Sequence, residues 1–254
     1  MEEKRPAGLS GFTLKMIALI TMLIDHTGAS VVERLYTMTD TFAADMSAGY
    51  HFYYLLRSIG RMAFPIYCFL LVEGFVYTRS RWKYAARLAV FALLSELPFD
   101  LALFGSWFDR EHNNVFFTLL IGLLTLMAME WAEEYFGQEK ENRLLMVLAQ
   151  LAILTVMCLT AEFLLCTDYG MIGVMAIVIL YRWRGQKELA FALAVLLLGV
   201  GSSPLEFWAL LMLIPIHFYN GSRGRQLNKY LFYAFYPLHL TLLALICQAL
   251  GLGV

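Results

Sequence analysis

LKMIALITMLIDHTGAS, residues Leu14 to Ser30, runs through a mostly apolar stretch and then sets Asp25 and His26 side by side. A segment this greasy is long enough, with its flanks, to cross a bilayer as a helix, which needs about 20 predominantly apolar residues. An acid and an imidazole inside it are expensive, roughly 2.5–3.5 kcal/mol for a charge near the bilayer centre, so they should face protein or a wet cavity and have work to do there. Counted from the start of the apolar run, the pair lies about 18–20 Å along the helix, in its far half.

The rest of the chain has the same character. Its 254 residues are 60% hydrophobic and 15% charged, with a mean hydropathy of +0.65. A soluble domain is typically about 25% charged. The net charge of −1 provides no concentrated basic face for nucleic acid. The polar start MEEKRPAGLSG lacks a secretory-signal pattern, so the first span is expected to be retained. Cys68, Cys158, Cys166 and Cys247 fall in apolar segments without a CxxC pair and are expected to be free, and no metal site is indicated.

Nine apolar segments stand out, at about 12–33, 53–78, 83–104, 114–135, 143–163, 169–182, 188–202, 204–219 and 229–250. The sequence therefore predicts an all-α, polytopic membrane helix bundle of about nine transmembrane segments, some short or broken, forming one domain over 1–254. With the N-terminus inside, Lys4, Arg5, Lys15, Arg79, Arg81, Lys83, Arg87, Lys140, Arg143, Arg182, Arg184, Lys187, Arg223, Arg225 and Lys229 are cytoplasmic. That leaves Arg34, Arg57, Arg61 and Arg110 on the other face. The bias favours an N-in/C-out topology in the cytoplasmic (inner) membrane.

Further ionisable residues interrupt the apolar runs. Arg57 and Arg61 are four apart and share a helix face, as do Glu96 and Asp100 around Pro98. Glu73 lies near the cytoplasmic end of the second span, and His239 near the middle of the last, just behind Pro237. Glu162 and Glu206 read as helix-to-helix hydrogen bonds near the outer surface, and His217 as an interfacial side chain. Most Tyr and Phe read as lipid-facing or interfacial. One function these groups would support is proton-coupled transport, with Asp25, His26, Arg61, Glu96 and Asp100 as a relay. Another is an assembly subunit whose buried charges meet partner helices.

The stretches LITMLIDHTGA (19–29), IGRMAFPIYCFLLVEGFVYTRSRWKYAARLAVFALLSELPFDLA (59–102), NNVFFTLLIGLL (113–124), DYGMIGV (168–174) and FYAFYPLHL (232–240) together resemble the TraX family, whose namesake acetylates the N-terminus of conjugative pilin. The chain also resembles the broader membrane-embedded acyltransferase-3 kind. In that group a basic residue precedes an essential His by eleven positions, a spacing met here by Lys15 and His26, with Lys in place of the commoner Arg. Tyr236, Pro237 and His239 resemble the group's last helix. Asp25 is a departure from it.

The resemblance implies an acetyltransferase that uses acetyl-coenzyme A as donor, needs no metal, and passes the acetyl group to a pilin, peptide or glycan acceptor amid membrane lipid, as a monomer or a homo-oligomer. Lys15, Arg79, Arg81, Lys83 and Arg87 would then meet the donor's phosphates at the inner face. Glu73 would hold a basic partner or water beside the donor channel, and His239 would shuttle protons or bind the donor. His26 would serve as general base, or carry the acetyl group transiently, with Asp25 fixing its tautomer. Arg61 would stabilise negative charge on the thioester carbonyl. On the acceptor side stand Arg57, Glu96, Asp100, Asn114 and Asp168, although Asn114 reads equally as a helix cap and Asp168 as a turn residue. Together these roles require a passage from the inner leaflet to His26.

Overall fold

A backbone that crosses hydrocarbon must satisfy its polar groups within its own segment, and here it does so with helices alone. The computed structural model describes residues 7–38, 46–109, 111–137, 140–225 and 228–253, and Lys4, Arg5 and Arg110 of the charge pattern lie outside the described residues. Helices α1 (Gly11–Thr27) and α2 (Glu33–Met38) join through a wide turn at Gly28–Val32. They are followed by α3 (Met46–Gly60), α4 (Ala63–Tyr77) and α5 (Arg81–Phe99), then α6 (Val115–Phe136) and α7 (Arg143–Leu159). The chain closes with α8 (Gly170–Arg182), α9 (Lys187–Gly201), α10 (Leu213–His217) and α11 (Lys229–Ala249). No β-strand occurs among the described residues, only two isolated bridges.

Polar residues placed just ahead of apolar runs start several of these helices. Ser10, Ser80, Asn114 and Asn228 each accept a backbone N–H from the first turn of α1, α5, α6 and α11, as N-caps do. Among the described residues five segments are long and apolar enough to cross a membrane: Gly11–Thr37, Gly49–Tyr77, Val115–Phe136, Arg143–Leu164 and Tyr230–Ala249. The expected eighth segment is a tight 3₁₀ helix, Pro204–Met212, running into α10. At about 2 Å per residue in the 3₁₀ part, this short piece still reaches roughly 25 Å.

Two local features shape the end of the bundle that holds His26. The second expected span is broken at Arg61 and Met62, between α3 and α4. Pro65 explains the break, because its ring cannot follow a helical carbonyl four residues back, at Arg61. The helices ending at this face also widen: Glu33 N–H reaches Gly28 O, Gly105 N–H reaches Asp100 O, and Leu165 N–H reaches Thr160 O. Such i→i+5 turns re-aim side chains and recur near functional sites.

The centre of the bundle is α4, whose Phe64, Ile66, Cys68, Phe69, Leu71, Val72 and Phe75 are all buried. Around it pack Leu14 of α1, Leu88 of α5, Leu123 and Leu126 of α6, Ile177 and Leu180 of α8, and Phe191 and Leu198 of α9. Because lipid is as apolar as these side chains, close packing rather than water expulsion holds the helices together. Gly122 shows how close: a Cβ there would collide with Ile177 across the α6–α8 contact. By contrast α7 buries only Gln150 and Cys158 and turns Leu144, Leu145, Leu148, Leu151 and Val156 outward, so it is a lipid-facing helix. The four cysteines are free.

Arg34, placed by the charge pattern on the outer face, is 6% exposed. Its guanidinium donates to Gly253 O at 2.9 Å and to Leu101 O and Ala102 O at 3.1 Å each. It thereby ties α2 to the wide turn after α5 and to the end of the chain. Arg34→Met is expected to lower stability by about 1.5–3 kcal/mol, the range for hydrogen bonds from a charged donor. A melting curve in detergent that matches the wild type would refute this clamp.

Candidate functional site

His26 sits at the last turn of α1, 9% exposed. Its Nδ1 lies 2.7 Å from Nε2 of His239 on α11, and the two ring planes are nearly parallel, 3° apart, with 5.0 Å between centres. Nδ1 of His239 is 2.7 Å from the carbonyl of Phe235, which can only accept, so this nitrogen carries a proton. With both rings neutral, one assignment satisfies both bonds: His239 is protonated on Nδ1, and His26 donates its own Nδ1–H to His239. The lone pair of His26 is then on Nε2, and no hydrogen bond among the described residues occupies that atom. The tautomer of His26 is thereby fixed by His239.

Asp25 does not orient that imidazole. Adjacent helical residues diverge by about 100°, and Asp25 turns instead to Arg57 at 2.7 Å and Arg61 at 3.3 Å. Arg61 continues to Glu206 at 3.3 Å and to the Tyr169 hydroxyl at 3.4 Å. Tyr169 in turn donates to Glu206 at 3.3 Å and stacks face to face on Phe64. Glu206, whose side chain is fully buried, was read from sequence as a helix-to-helix hydrogen bond, and here it is the counter-ion of Arg61. Gly60 allows this network: a Cβ at that position would overlap the Asp25 side chain. Its one legible signal was a glycine directly beside Arg61 in a helical stretch.

Through its two terminal nitrogens Arg61 meets two carboxylates and a hydroxyl, so its charge is paired within the protein. It remains a neighbour of His26, acting on it through space together with Arg57. The expected acceptor residues gather around the same face. Glu96 accepts from the backbone N–H of Asn114 at 3.4 Å and from its side-chain amide. Asn114 also donates to Ala92 O at 2.8 Å and caps α6 through Phe116 N–H at 3.0 Å, so the cap reading and the contact to Glu96 both hold. Asp100 is fully buried and accepts from the Asp109 N–H at 3.0 Å. Asp168 is exposed and lies within electrostatic reach of Arg61. Glu162 serves as a helix-end acceptor for Met171 N–H at 2.9 Å.

The other end of the bundle collects the basic loops. Lys15 is exposed, its ammonium 5.3 Å from the Phe232 ring centre, with Arg223 within electrostatic reach. Arg79 and Lys83 are exposed to solvent. Arg81 is bound by both oxygens of Glu130 and lies over Phe75, while Arg87 lies over Tyr84. Of the expected phosphate-binding cations, Lys15, Arg79 and Lys83 are thus available and Arg81 is neutralised. Glu73 accepts from the Tyr219 hydroxyl at 2.8 Å, not from a cation. His239, expected near the donor, belongs to the His26 end.

Two of the cavities among the described residues lie at different ends of the bundle. One, about 160 Å³, is lined by Glu73, Arg184, Lys187 and Tyr219 among others at the basic end, and the second lies along Pro204–Leu211. His26 lines neither of these two. Phe64, Ile66 and Phe69 of α4, with Leu14 and Ala18 of α1, fill the space between the two ends.

The chain matches the family model described as "TraX protein" over residues 10–247. It is also 32% identical, over 96% of its length and 97% of the relative's, to a protein of Dichelobacter nodosus described as "Probable fimbrial assembly protein FimC, serogroup H1". No solved structure matches.

Proposed function

The chain belongs to the TraX family, and from that premise we propose that it is an integral membrane acetyltransferase. It passes an acetyl group from cytoplasmic acetyl-coenzyme A to an amine or hydroxyl acceptor reached from the opposite face of the inner membrane, with His26 as general base. The observation that carries this reading is the histidine pair: a neutral His26 whose Nδ1–H is held by His239 at 2.7 Å and whose Nε2 is left to take a proton. This is the logic of a base oriented by a second group, with an imidazole in the place more often taken by a carboxylate.

The residues divide the work between two ends. Lys15, Arg79 and Lys83 fit an anionic, phosphate-bearing donor because they are cationic and face solvent at the basic end. His26 lies eleven residues beyond Lys15 on the same helix, about 16 Å away along its axis, so the donor's arm must part α1 from its neighbours to arrive. At the far end Glu33, Glu111 and Asp168 are exposed acidic residues, and Asp168, within electrostatic reach of Arg61, is the one suited to attract an acceptor's ammonium group. His26 removes the proton from the attacking amine or hydroxyl and returns it to the leaving sulfur. The paired charges of Asp25, Arg57, Arg61 and Glu206 fix the helices around it. That the fimbrial relative is named for assembly favours a pilin-type peptide N-terminus as acceptor.

A transmembrane proton relay through Asp25, His26, Arg61, Glu96 and Asp100 is less well supported, because these residues gather toward one end and apolar side chains of α1 and α4 fill the bundle beyond them. The test is to incubate purified protein, radiolabelled acetyl-coenzyme A and solubilised membranes of the source cell. Label is expected in a peptide or glycan fraction. If none is transferred and no donor binds, the acetyltransferase reading fails. Flux driven by a pH gradient, without thioester turnover, would establish the transporter in its place.

A further inference from the structure

Acyl transfer needs a hydrogen-bond donor where charge develops on the carbonyl oxygen, and the charge of Arg61 is already paired with Asp25 and Glu206. Beside the histidine pair stands a donor with no partner. Tyr236 is 3% exposed, and its hydroxyl has no hydrogen-bond partner among the described residues. Its ring packs edge-on against His26 at 5.6 Å and against His239 at 5.7 Å between centres. Unpaired buried polar groups are rare enough in native proteins that each calls for an explanation, and a catalytic role is one of the standard ones.

The surroundings favour negative charge at that spot. Phe116, in the first turn of α6, lies 5.1 Å from the Tyr236 ring centre, which brings the hydroxyl to the start of a 22-residue helix. There Asn114 caps the Phe116 N–H, and Phe117 N–H closes on Asn114 O at 3.0 Å. Val115, the first residue of this helix, lies within electrostatic reach of the Tyr236 oxygen. An N-terminal amide and the positive end of a helix dipole both favour an anion. At neutral pH a tyrosine hydroxyl carries its proton and can donate it in a hydrogen bond.

We infer that the Tyr236 hydroxyl, backed by the N-terminus of α6, is the catalytic group that stabilises the oxyanion formed on the thioester carbonyl. This rests on the acetyltransferase reading. As the acceptor's nitrogen or oxygen bonds to the carbonyl carbon, His26 Nε2 takes its proton and the π electrons move onto the carbonyl oxygen, where Tyr236 Oη–H donates. When the carbonyl re-forms, the carbon–sulfur bond breaks and the sulfur leaves with the proton from His26. Tyr236 keeps its own proton throughout.

Tyr236→Phe retains the ring that packs on both histidines and removes only the donor. With radiolabelled acetyl-coenzyme A and solubilised source-cell membranes, kcat is expected to fall roughly 10²–10³-fold, the cost of one oxyanion donor. KM for acetyl-coenzyme A, the pH profile and the melting curve should stay at wild-type values. A kcat within about threefold of wild type, or a lost limb of the pH profile showing that Tyr236 transfers a proton, overturns the assignment while leaving the enzyme reading intact. Wild-type protein that transfers no label defeats both. If Tyr236→Phe melts early, Tyr236→His, which keeps an N–H donor, must retain more transfer than Tyr236→Leu, and equal losses overturn the role.

Discussion

Replacing His26 by Ala is expected to lower acetyl transfer about 10²–10⁴-fold, the usual contribution of a general base, with expression and melting near wild type. The more telling variants are at His239. If His239 works by accepting the Nδ1–H of His26 at 2.7 Å, then His239→Leu removes the acceptor and frees the wrong tautomer. Its rate should fall by a factor approaching that of His26→Ala, as happens when the orienting group of a catalytic imidazole is lost. His239→Gln supplies an amide oxygen that accepts the same hydrogen bond and should recover a large part of the loss. Glutamine cannot relay protons, so a Gln variant as dead as the Leu variant would show that His239 moves a proton, and the orienting role would be wrong. Activity surviving in His26→Ala would remove His26 from the chemistry altogether.

The second large effect concerns stability. Arg61→Met leaves Glu206, whose side chain is fully buried, without its cation and takes one of two arginines from Asp25. Breaking a buried pair from one side costs about 3–5 kcal/mol, because the charge that remains has no compensation. The expected result is a marked drop in melting temperature in detergent. Adding Glu206→Gln should restore much of it, since Asp25 still has Arg57 at 2.7 Å and no unpaired charge remains. A double variant no more stable than Arg61→Met would mean that the Arg61–Glu206 contact is not what fails.

Helical membrane architecture was legible because it follows from composition. Apolar runs near the length of a bilayer crossing leave the backbone no alternative to helices, and residues such as Ser10, Ser80 and Asn114 mark where several of them start. Asp25 and His26 announced themselves for the same reason, because ionisable groups in an apolar run are too costly to be incidental. The break at Arg61 was missed by reading 53–78 as one span, although Pro65 was its local signal. The 3₁₀ form of Pro204–Met212 carried none, since an apolar run of that length fits either helix.

What only the tertiary structure decided is who meets whom. The partner of His26 lies 213 positions away and that of Arg61 lies 145 positions away, and neither spacing is written in any local pattern. Sequence put Asp25 beside His26, yet the turn of about 100° between neighbouring helical residues sends one to the arginines and the other to His239. It put Arg81 among free cations, where packing of α5 on α6 gives it Glu130. Gly60 and Glu206 gained their importance only when four helices converged on Asp25 and Arg61. A residue's type and depth are set by its own helix, but its contacts depend on the rotation of every helix around it, and that is fixed by close packing of the whole bundle.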